Sequence, residues 1–256
     1  MLKRLIIFYA VLIAPLNAGA GRPLITDDTA TQGRGKYQLE VGGEYDRDRE
    51  TIKGASSTET DHSISTTLTY GIANRVDAII SSSYLRTSVA TEGAGTVNVH
   101  GISDTTAGII WKLYDRQGLS LAVKPSVSFP TGNDEKGLGS GKIDYGTYVL
   151  ASKEFEPWEL HLNLGYTRNE NDLGERKDLW HASLAAVYEV LKDLKVCADI
   201  GADTNRDATS EVEPAYILGG VIYEVRENFD LSFGVKAGLS KPETDWALLP
   251  GVTYRF

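Results

Sequence analysis

The chain has one cysteine, few basic side chains and hardly any long apolar run, and each scarcity excludes a class of protein. Cys197 has no second cysteine to pair with, so the chain is not an exported scaffold held by internal disulfides. Lys and Arg number 26 against 35 Asp and Glu, a net charge of −9, which argues against a nucleic-acid-binding protein. Beyond residue 20 no segment offers the roughly 20 apolar residues of a transmembrane helix.

The N-terminus has the features of an export signal. Lys3 and Arg4 precede an apolar run over residues 5–15, and Ala18-Gly19-Ala20 provides the small residues that signal peptidase prefers. The apolar run is too short to span a bilayer as a helix. We therefore expect residues 1–20 to be a cleaved secretory signal peptide.

Most of the remaining chain alternates apolar and polar side chains with a period of two, which is typical of β-strands. Twelve segments show the pattern: 36–47, 61–71, 75–88, 103–114, 119–129, 142–153, 158–166, 180–189, 194–201, 212–225, 229–238 and 244–256. The alternation leaves the register open at 142–153 and 212–225. A period of two sustained over this length predicts an all-β protein.

Three features favour a membrane barrel over a soluble barrel with an apolar interior. The strands run to about 10 residues or more, the length needed to cross a bilayer at a tilt. Aromatic residues lie at both ends of the apolar stripes, as in interfacial girdles. The opposite face carries charged side chains at mid-strand, which cannot form a dry core. The aromatic pairs are Tyr37 and Tyr45, Trp158 and Tyr166, and Trp180 and Tyr188.

The connections alternate between short turns and longer polar loops. Long loops are expected near 48–60, 88–102, 131–141, 168–177, 204–211 and 240–243. Bacterial outer-membrane barrels have short periplasmic turns and longer extracellular loops. The sequence therefore predicts a closed antiparallel up-and-down transmembrane β-barrel of about 12 strands over residues 36–256, in the cell outer membrane.

The last strand ends in Tyr254 and Phe256, and a terminal aromatic of this kind resembles the signal by which the barrel assembly machinery recognises its substrates. Proline lacks an amide hydrogen and is normally confined to edges, ends or bulges of a sheet. A closed barrel has no edge, so we expect β-bulges near Pro125 and Pro250.

The polar face of the strands carries ionisable side chains of both signs, and mixed signs predict no strong preference for anions or cations. The candidates for lining the lumen are Glu40, Glu44, Asp77, Asp104, Lys112, Lys124, Glu159, His161, His181, Glu189, Lys195, Asp199, Asp230, Lys236 and Arg255. They form either a polar pathway for a small solute or a salt-bridge network that fills the barrel. Strand number does not decide, because twelve strands lie between small filled barrels and open 16-stranded porins.

Residues 21–35 show no alternation. They fold back into the periplasmic mouth as a small plug, with Asp27 and Asp28 meeting lumenal lysines and Arg22 and Arg34 nearby, or they form a disordered lead-in.

Catalytic and metal sites are not expected. His181 and Ser183 share the lumenal face, but the sequence identifies no third group to orient the histidine. No ligand spacing indicates a metal or another cofactor.

Several blocks resemble the "putative MetA-pathway of phenol degradation" family of transporter-like outer-membrane proteins. They are residues 22–40, Gly101-Ile102-Ser103-Asp104, Phe129-Pro130-Thr131-Gly132 and residues 137–141. The resemblance implies a loose association with uptake of aromatic hydrocarbons. The expected function is passive uptake of small, hydrophobic or aromatic solutes across the outer membrane, in contact with its lipid. The alternative is a closed structural barrel whose extracellular loops serve adhesion or interaction.

Overall fold

The computed structural model describes residues 22–52 and 55–256, so the expected signal peptide lies outside the described residues. One short 3-10 helix, Asp134–Lys136, accompanies thirteen strands in these ranges. The strands are β1 (Tyr37–Ile52), β2 (Ala55–Ala73), β3 (Val76–Thr91), β4 (Gly95–Ile102), β5 (Thr105–Arg116), β6 (Leu119–Phe129), β7 (Asp144–Phe155), β8 (Trp158–Arg168), β9 (Asp178–Leu191), β10 (Leu194–Asp203), β11 (Ala215–Arg226), β12 (Phe229–Gly238) and β13 (Trp246–Arg255). None of the helical structure within the described ranges has the length and apolarity to cross a bilayer.

Twelve strands close into one antiparallel barrel. Neighbours in the chain pair with each other, β1 pairs with β13, and β3 pairs with β5 beyond the short β4. The closing pair runs in register from Gln38 opposite Arg255 to Arg47 opposite Trp246. The predicted fold is therefore confirmed, with β4 as an additional strand that pairs with β3.

Side-chain burial is the reverse of that in a soluble protein. Large apolar side chains on the outer face are exposed, Trp180 by 63% and Leu164 by 54%, whereas Lys124 and Lys236 inside are each only 1% exposed. An exposed apolar surface of this extent marks contact with another phase, here membrane hydrocarbon. The apolar stripes therefore face lipid.

Five two-residue turns join strands at the end of the barrel where Tyr37 and Phe256 lie, which we define as the periplasmic end. The sequence predicts short turns at these places, near residues 73–74, 116–118, 156–157, 192–193 and 226–228. Gln117 and Asp193 take positive φ in two of them, 53° and 70°.

Aromatic side chains ring the outer face near both ends. The periplasmic girdle contains Tyr37, Tyr70, Trp158, Tyr188, Phe229, Tyr254 and Phe256, and the extracellular girdle contains Tyr45, Tyr166, Trp180 and Trp246. Ring centroids of Tyr166 and Trp180, on adjacent strands, are 4.9 Å apart. The two girdles mark the two membrane interfaces.

The sequence predicts six long extracellular loops, and two of these predictions are wrong. Residues 48–60 lie mostly in β1 and β2, which pair out to Ile52 opposite Ala55, and residues 88–102 contain the end of β3, a turn and β4. The β-branched Thr, Ile and Val residues in these two stretches fit a pleated strand. Polar composition predicts loops, but this four-stranded extension lies beyond the hydrocarbon of the membrane, where neither face needs to be apolar.

The bulge expected near Pro250 is absent, and the register shift of the β5–β6 ladder falls three residues from Pro125, between Lys112 and Tyr114 of β5 opposite Ala122 and Leu121. Ala107 opposite Val127 and Trp111 opposite Val123 keep one register across Pro125, and Phe233 stands opposite Pro250 without a shift. The β5–β6 ladder instead leaves two positions unbridged beside Pro125. The ladder is therefore interrupted beside the proline, which has no amide hydrogen to donate.

Candidate functional site

Residues Arg22–Gly35, here called the N-terminal segment, run inside the barrel from mid-height to the periplasmic mouth. At the mouth the Gly35 amide donates to the Gly71 carbonyl at 2.8 Å, and the Gln32 amide donates to Asp77 Oδ2 at 2.7 Å. Further in, the segment reaches side chains of strands on opposite sides of the lumen. It therefore crosses the interior.

Asp199 on β10 anchors the segment at mid-height. Its Oδ2 accepts the Ile25 and Thr26 amides, each at 2.8 Å, and its Oδ1 accepts the Thr26 hydroxyl at 2.7 Å. Asp199 is 2% exposed. A buried carboxylate satisfied by three donors on one segment is a strong anchor, because hydrogen bonds to a charged acceptor exceed those between neutral groups.

The next anchor is an ion pair between Asp27 and Lys124 of β6, both fully enclosed in the lumen. Asn163 on β8 forms two hydrogen bonds with the Asp27 backbone. Its Oδ1 accepts the Asp27 amide at 2.7 Å, and its Nδ2 donates to the Asp27 carbonyl at 2.8 Å. Nearer the periplasm, the Thr29 amide donates to Ser152 Oγ at 3.1 Å, and Ser152 contacts His161 Nδ1 at 2.9 Å. Successive residues thus engage different walls of the barrel.

Glycines on the inner face make room for the segment. A side chain at Gly42 or Gly251 would overlap Arg22, and one at Gly220 or Gly234 would overlap Pro23. Arg22 also donates to the Ser65 hydroxyl. These close approaches require residues without a Cβ, so the wall is shaped to the segment.

Leu24 packs on an apolar patch of the lumen wall, here called the apolar pad. The pad consists of Ala185, Val187, Cys197, Tyr216, Leu218, Ala247 and Leu249. Leu24 is 1% exposed. Burial of a leucine of this kind is worth about 1.5–3 kcal/mol, so apolar contact adds to the polar anchors.

Asp28 is partly buried beside the anchors, and its Oδ1 accepts the Ala30 amide at 2.6 Å. Burial raises the pKa of the Asp28 carboxyl to about 7, and the Ala30 hydrogen bond opposes that rise. The seated segment therefore favours protonated Asp28.

The structure places most of the expected lumen-lining residues on the inner face. Inner-face candidates are Glu40, Glu44, Asp77, Asp104, Lys112, Lys124, Glu159, His161, His181, Lys195, Asp199, Asp230, Lys236 and Arg255. Glu189 and Arg34 are instead exposed at the periplasmic rim. Sequence reasoning missed Asn163 and Ser152, whose neutral side chains carry no charge signal.

Lumenal side chains of opposite charge form ion pairs at several heights along the barrel axis. Near the periplasm Arg255 Nη2 lies 2.6 Å from Asp230 Oδ2, and Lys195 Nζ lies 2.9 Å from Glu159 Oε1. Towards the outside, Lys236 Nζ lies 3.1 Å from both Glu44 and Glu243. These pairs neutralise the wall locally.

The extracellular mouth holds a cavity of about 220 Å³, here called the vestibule. Its carboxylates are Glu44, Asp46, Asp48, Glu50, Glu59 and Asp61, against two ammonium groups from Lys136 and Lys241. Asp46 stands directly opposite Asp61, and Asp48 opposite Glu59, across β1 and β2. The mixed charges of the lumen are therefore segregated, with the negative excess at the outer mouth.

Asp104 holds an extracellular loop inside that mouth. Its Oδ1 accepts the Gly132 amide at 2.9 Å and its Oδ2 accepts the Ser140 amide at 2.8 Å. Between these points Leu138 turns inward and is 4% exposed. Asp104 thus lies in the connection before β5 and acts on the loop, where the sequence suggested a strand position.

His181 does have the third partner that the sequence did not reveal. Its Nδ1 lies 2.8 Å from Asp203 Oδ1 and its Nε2 lies 2.8 Å from Ser183 Oγ. Ser183 is 4% exposed and contacts the Tyr216 hydroxyl. The Ser183 hydroxyl is therefore enclosed by these partners on the inner face of the barrel. No group of side chains suited to a metal ion occurs in residues 22–52 and 55–256.

Comparison with known proteins identifies the family. The model of the family described as "Putative MetA-pathway of phenol degradation" matches residues 20–256. The chain belongs to this family. A comparison with curated protein sequences finds no match.

Solved structures of outer-membrane barrels share the fold. The COG4313 outer membrane channel from Pseudomonas putida F1 superposes with a TM-score of 0.67 at 15% identity, over 90% of this chain and 98% of that one. The KdgM porin gives a TM-score of 0.56 at 12% identity, over 86% and 99%. The translocator domain of the autotransporter NalP from Neisseria meningitidis gives 0.56 at 13%, over 89% and 91%.

These similarities establish the fold. The barrel also has the exposed apolar belt and the two aromatic girdles that are typical of outer-membrane proteins. The protein is therefore an outer-membrane β-barrel. A channel, a porin and a translocator domain share the architecture, so function must be argued from the lumen.

Proposed function

We propose that the protein is an outer-membrane channel for passive uptake of small solutes, closed at rest by its N-terminal segment. The observation that supports this most is that the lumen is filled at mid-height by a segment outside the barrel wall. Its anchors to Asp199, Lys124 and Asn163 are polar contacts that water can replace when the segment leaves. None of the strand pairings in the described ranges involves the segment.

The lining favours small organic cations among the solutes. The vestibule concentrates carboxyl groups, which in their ionised form raise the local concentration of positively charged solutes. Withdrawal of Leu24 would uncover the apolar pad halfway along the path, where a hydrophobic or aromatic group can bind. A solute with a cationic head and an apolar body matches both surfaces in order.

Conductance in planar bilayers tests the channel. Deletion of residues 22–32 should give stable open channels, whereas the intact chain should open rarely. A T29C/S120C tether in a C197S background should stay closed when oxidised and recover openings when reduced, because the Thr29 and Ser120 side-chain hydroxyls are in direct contact. If the deletion variant neither conducts nor supports liposome swelling, the barrel is a closed structural one and its extracellular extension becomes the functional part.

Solute class is tested by liposome swelling with the deletion variant. Benzylamine and benzoate have the same ring and opposite charges, so they form a matched pair. Faster entry of benzylamine supports the assignment, and equal or slower entry contradicts it without affecting the channel proposal.

A further inference from the structure

The outer face of the β1–β4 extension is basic, although the protein as a whole is acidic. Arg47 and Arg49 of β1, His62 of β2, Arg86 of β3 and His100 of β4 all point outward, and we call them the basic face. The inner face of the same strands carries the vestibule carboxylates. The alternation of strand side chains therefore sorts the two signs onto opposite faces.

The basic face lies at the level of the extracellular aromatic girdle. His62, Arg86 and His100 share one cross-strand row with Tyr45, and Arg47 stands opposite Trp246. The Tyr45 and His62 ring centroids are 4.9 Å apart. Girdle aromatics mark the headgroup region of a bilayer, so these basic side chains lie among headgroups of the outer leaflet.

The arginines of the basic face are available to a ligand. Arg49 and Arg86 are exposed, and the ion pairs found among the described residues involve neither of them nor Arg47. Asp245 accepts the Arg49 backbone amide at 3.2 Å, and its Oδ1 lies 3.8 Å from Lys241 Nζ. Three guanidinium groups therefore face the headgroup layer without a carboxylate partner within the described chain.

We propose that the basic face binds the phosphate groups of a phosphorylated glycolipid in the outer leaflet. Guanidinium groups bind phosphate through paired hydrogen bonds, and each cation near an anionic surface adds to the attraction. The lipid-facing stripes directly below, with Ile64 and Tyr84 59% and 48% exposed, would contact its acyl chains. The site binds a lipid as a whole, with phosphate above and hydrocarbon below.

The test titrates bis-phosphorylated lipid A and its dephosphorylated form onto the full-length protein in detergent, with bound lipid counted by native mass spectrometry. The triple variant R47Q/R49Q/R86Q should bind the phosphorylated form on the order of 100-fold more weakly. The matched control R75Q/R116Q/R226Q removes three exposed arginines from the periplasmic end and should bind like the parent. The dephosphorylated form should bind weakly to all three proteins.

Equal loss in both triple variants, equal binding of the two lipid forms, or no binding by the parent would overturn the proposal. Inorganic phosphate at about tenfold excess should not displace the lipid, and displacement would show that free phosphate alone is the ligand. Heat-modifiable mobility in gels verifies folding. Should the triple variant fail to fold, R47Q and R86Q singly should each weaken binding by about fivefold, and unchanged affinity in both would contradict the assignment.

Discussion

Replacement of Lys124 by Met should release the N-terminal segment. The Lys124 ammonium pairs with Asp27, and their side chains are 1% and 0% exposed. Removing one partner of a buried ion pair typically costs about 3–5 kcal/mol. This cost falls on the seated state alone, because a segment that leaves the lumen carries Asp27 into water. The ratio of seated to released protein should therefore fall by roughly 10²- to 10⁴-fold.

Two measurements follow that ratio. Hydrogen exchange of the Ile25, Thr26 and Asp27 amides should accelerate in K124M, since these amides are bonded to the wall only while the segment is seated. The fraction of time that the channel is open in planar bilayers should rise in parallel. The reasoning is refuted if exchange of these amides is unchanged.

K236M is the matched control. Lys236 is equally buried and paired, but its partners are Glu44 and Glu243 of the wall and the adjoining loop, so exchange of the segment should not change. Acceleration in K236M equal to that in K124M would show general loosening of the barrel. The double variant D27N/K124M should recover much of the seating, because the uncompensated charge is gone.

Three further outcomes are expected. Gly234→Val should raise the open fraction because its side chain would overlap Pro23, whereas Gly219→Val, with open space around it, should not. Seating should weaken as the pH rises through about 7, because the pKa of Asp28 is raised in the seated state, and a flatter pH profile of the open fraction in D28N checks this. At pH 9, where the vestibule carboxyl groups are ionised, the pair D46N/D61N should lower the cation-to-anion permeability ratio by at least about twofold, read from reversal potentials in a KCl gradient, and an unchanged ratio would contradict a role for the vestibule.

The inner and outer faces of the barrel could be predicted from the sequence because strand geometry is local. Side chains point alternately to opposite faces, so the parity of Lys124 against Val123, or of Asp199 against Ile200, decides which one faces the lumen. Closure followed from the need to leave no unpaired edge in lipid. These inferences require no knowledge of which strands meet.

The contacts inside the lumen could not be predicted, because they depend on register and closure together. Asp27 meets Lys124, 97 residues away in the chain, and Arg22 fits against Gly42 and Gly251 from opposite ends of the barrel sequence. The charges of the lumenal residues do not show which of these residues lie at the same height in the barrel. Only the pairing of β1 with β2 brings Asp46 and Asp61 together at one mouth.

The extracellular extension was misread for a physical reason. A strand is recognised in the sequence by its apolar face. Beyond the membrane hydrocarbon, neither face of β1–β4 needs to be apolar. The usable signal was the alternation of charge: Arg47 and Arg49 outward, with Asp46 and Asp48 between and beside them, inward. A period of two in charge indicates a strand as well as a period of two in hydrophobicity does.

That alternation also has a cost that bears on function. Like charges directly opposite each other across a strand pair are destabilising, by about 0.2–1 kcal/mol for each pair, and β1 and β2 carry two such pairs in the vestibule. A barrel that served only as a rigid support would be more stable with Ser or Thr at Asp46, Asp48, Glu59 and Asp61. Residues that destabilise the structure locally are expected at functional sites. Two other pairs of like charge, Glu154 opposite Glu159 and Glu224 opposite Asp230, lie near the periplasmic end, and Lys195 and Arg255 form ion pairs with them. The four carboxyl groups at the entrance of the proposed path form no such ion pair within the described residues, as a cation-attracting entrance requires.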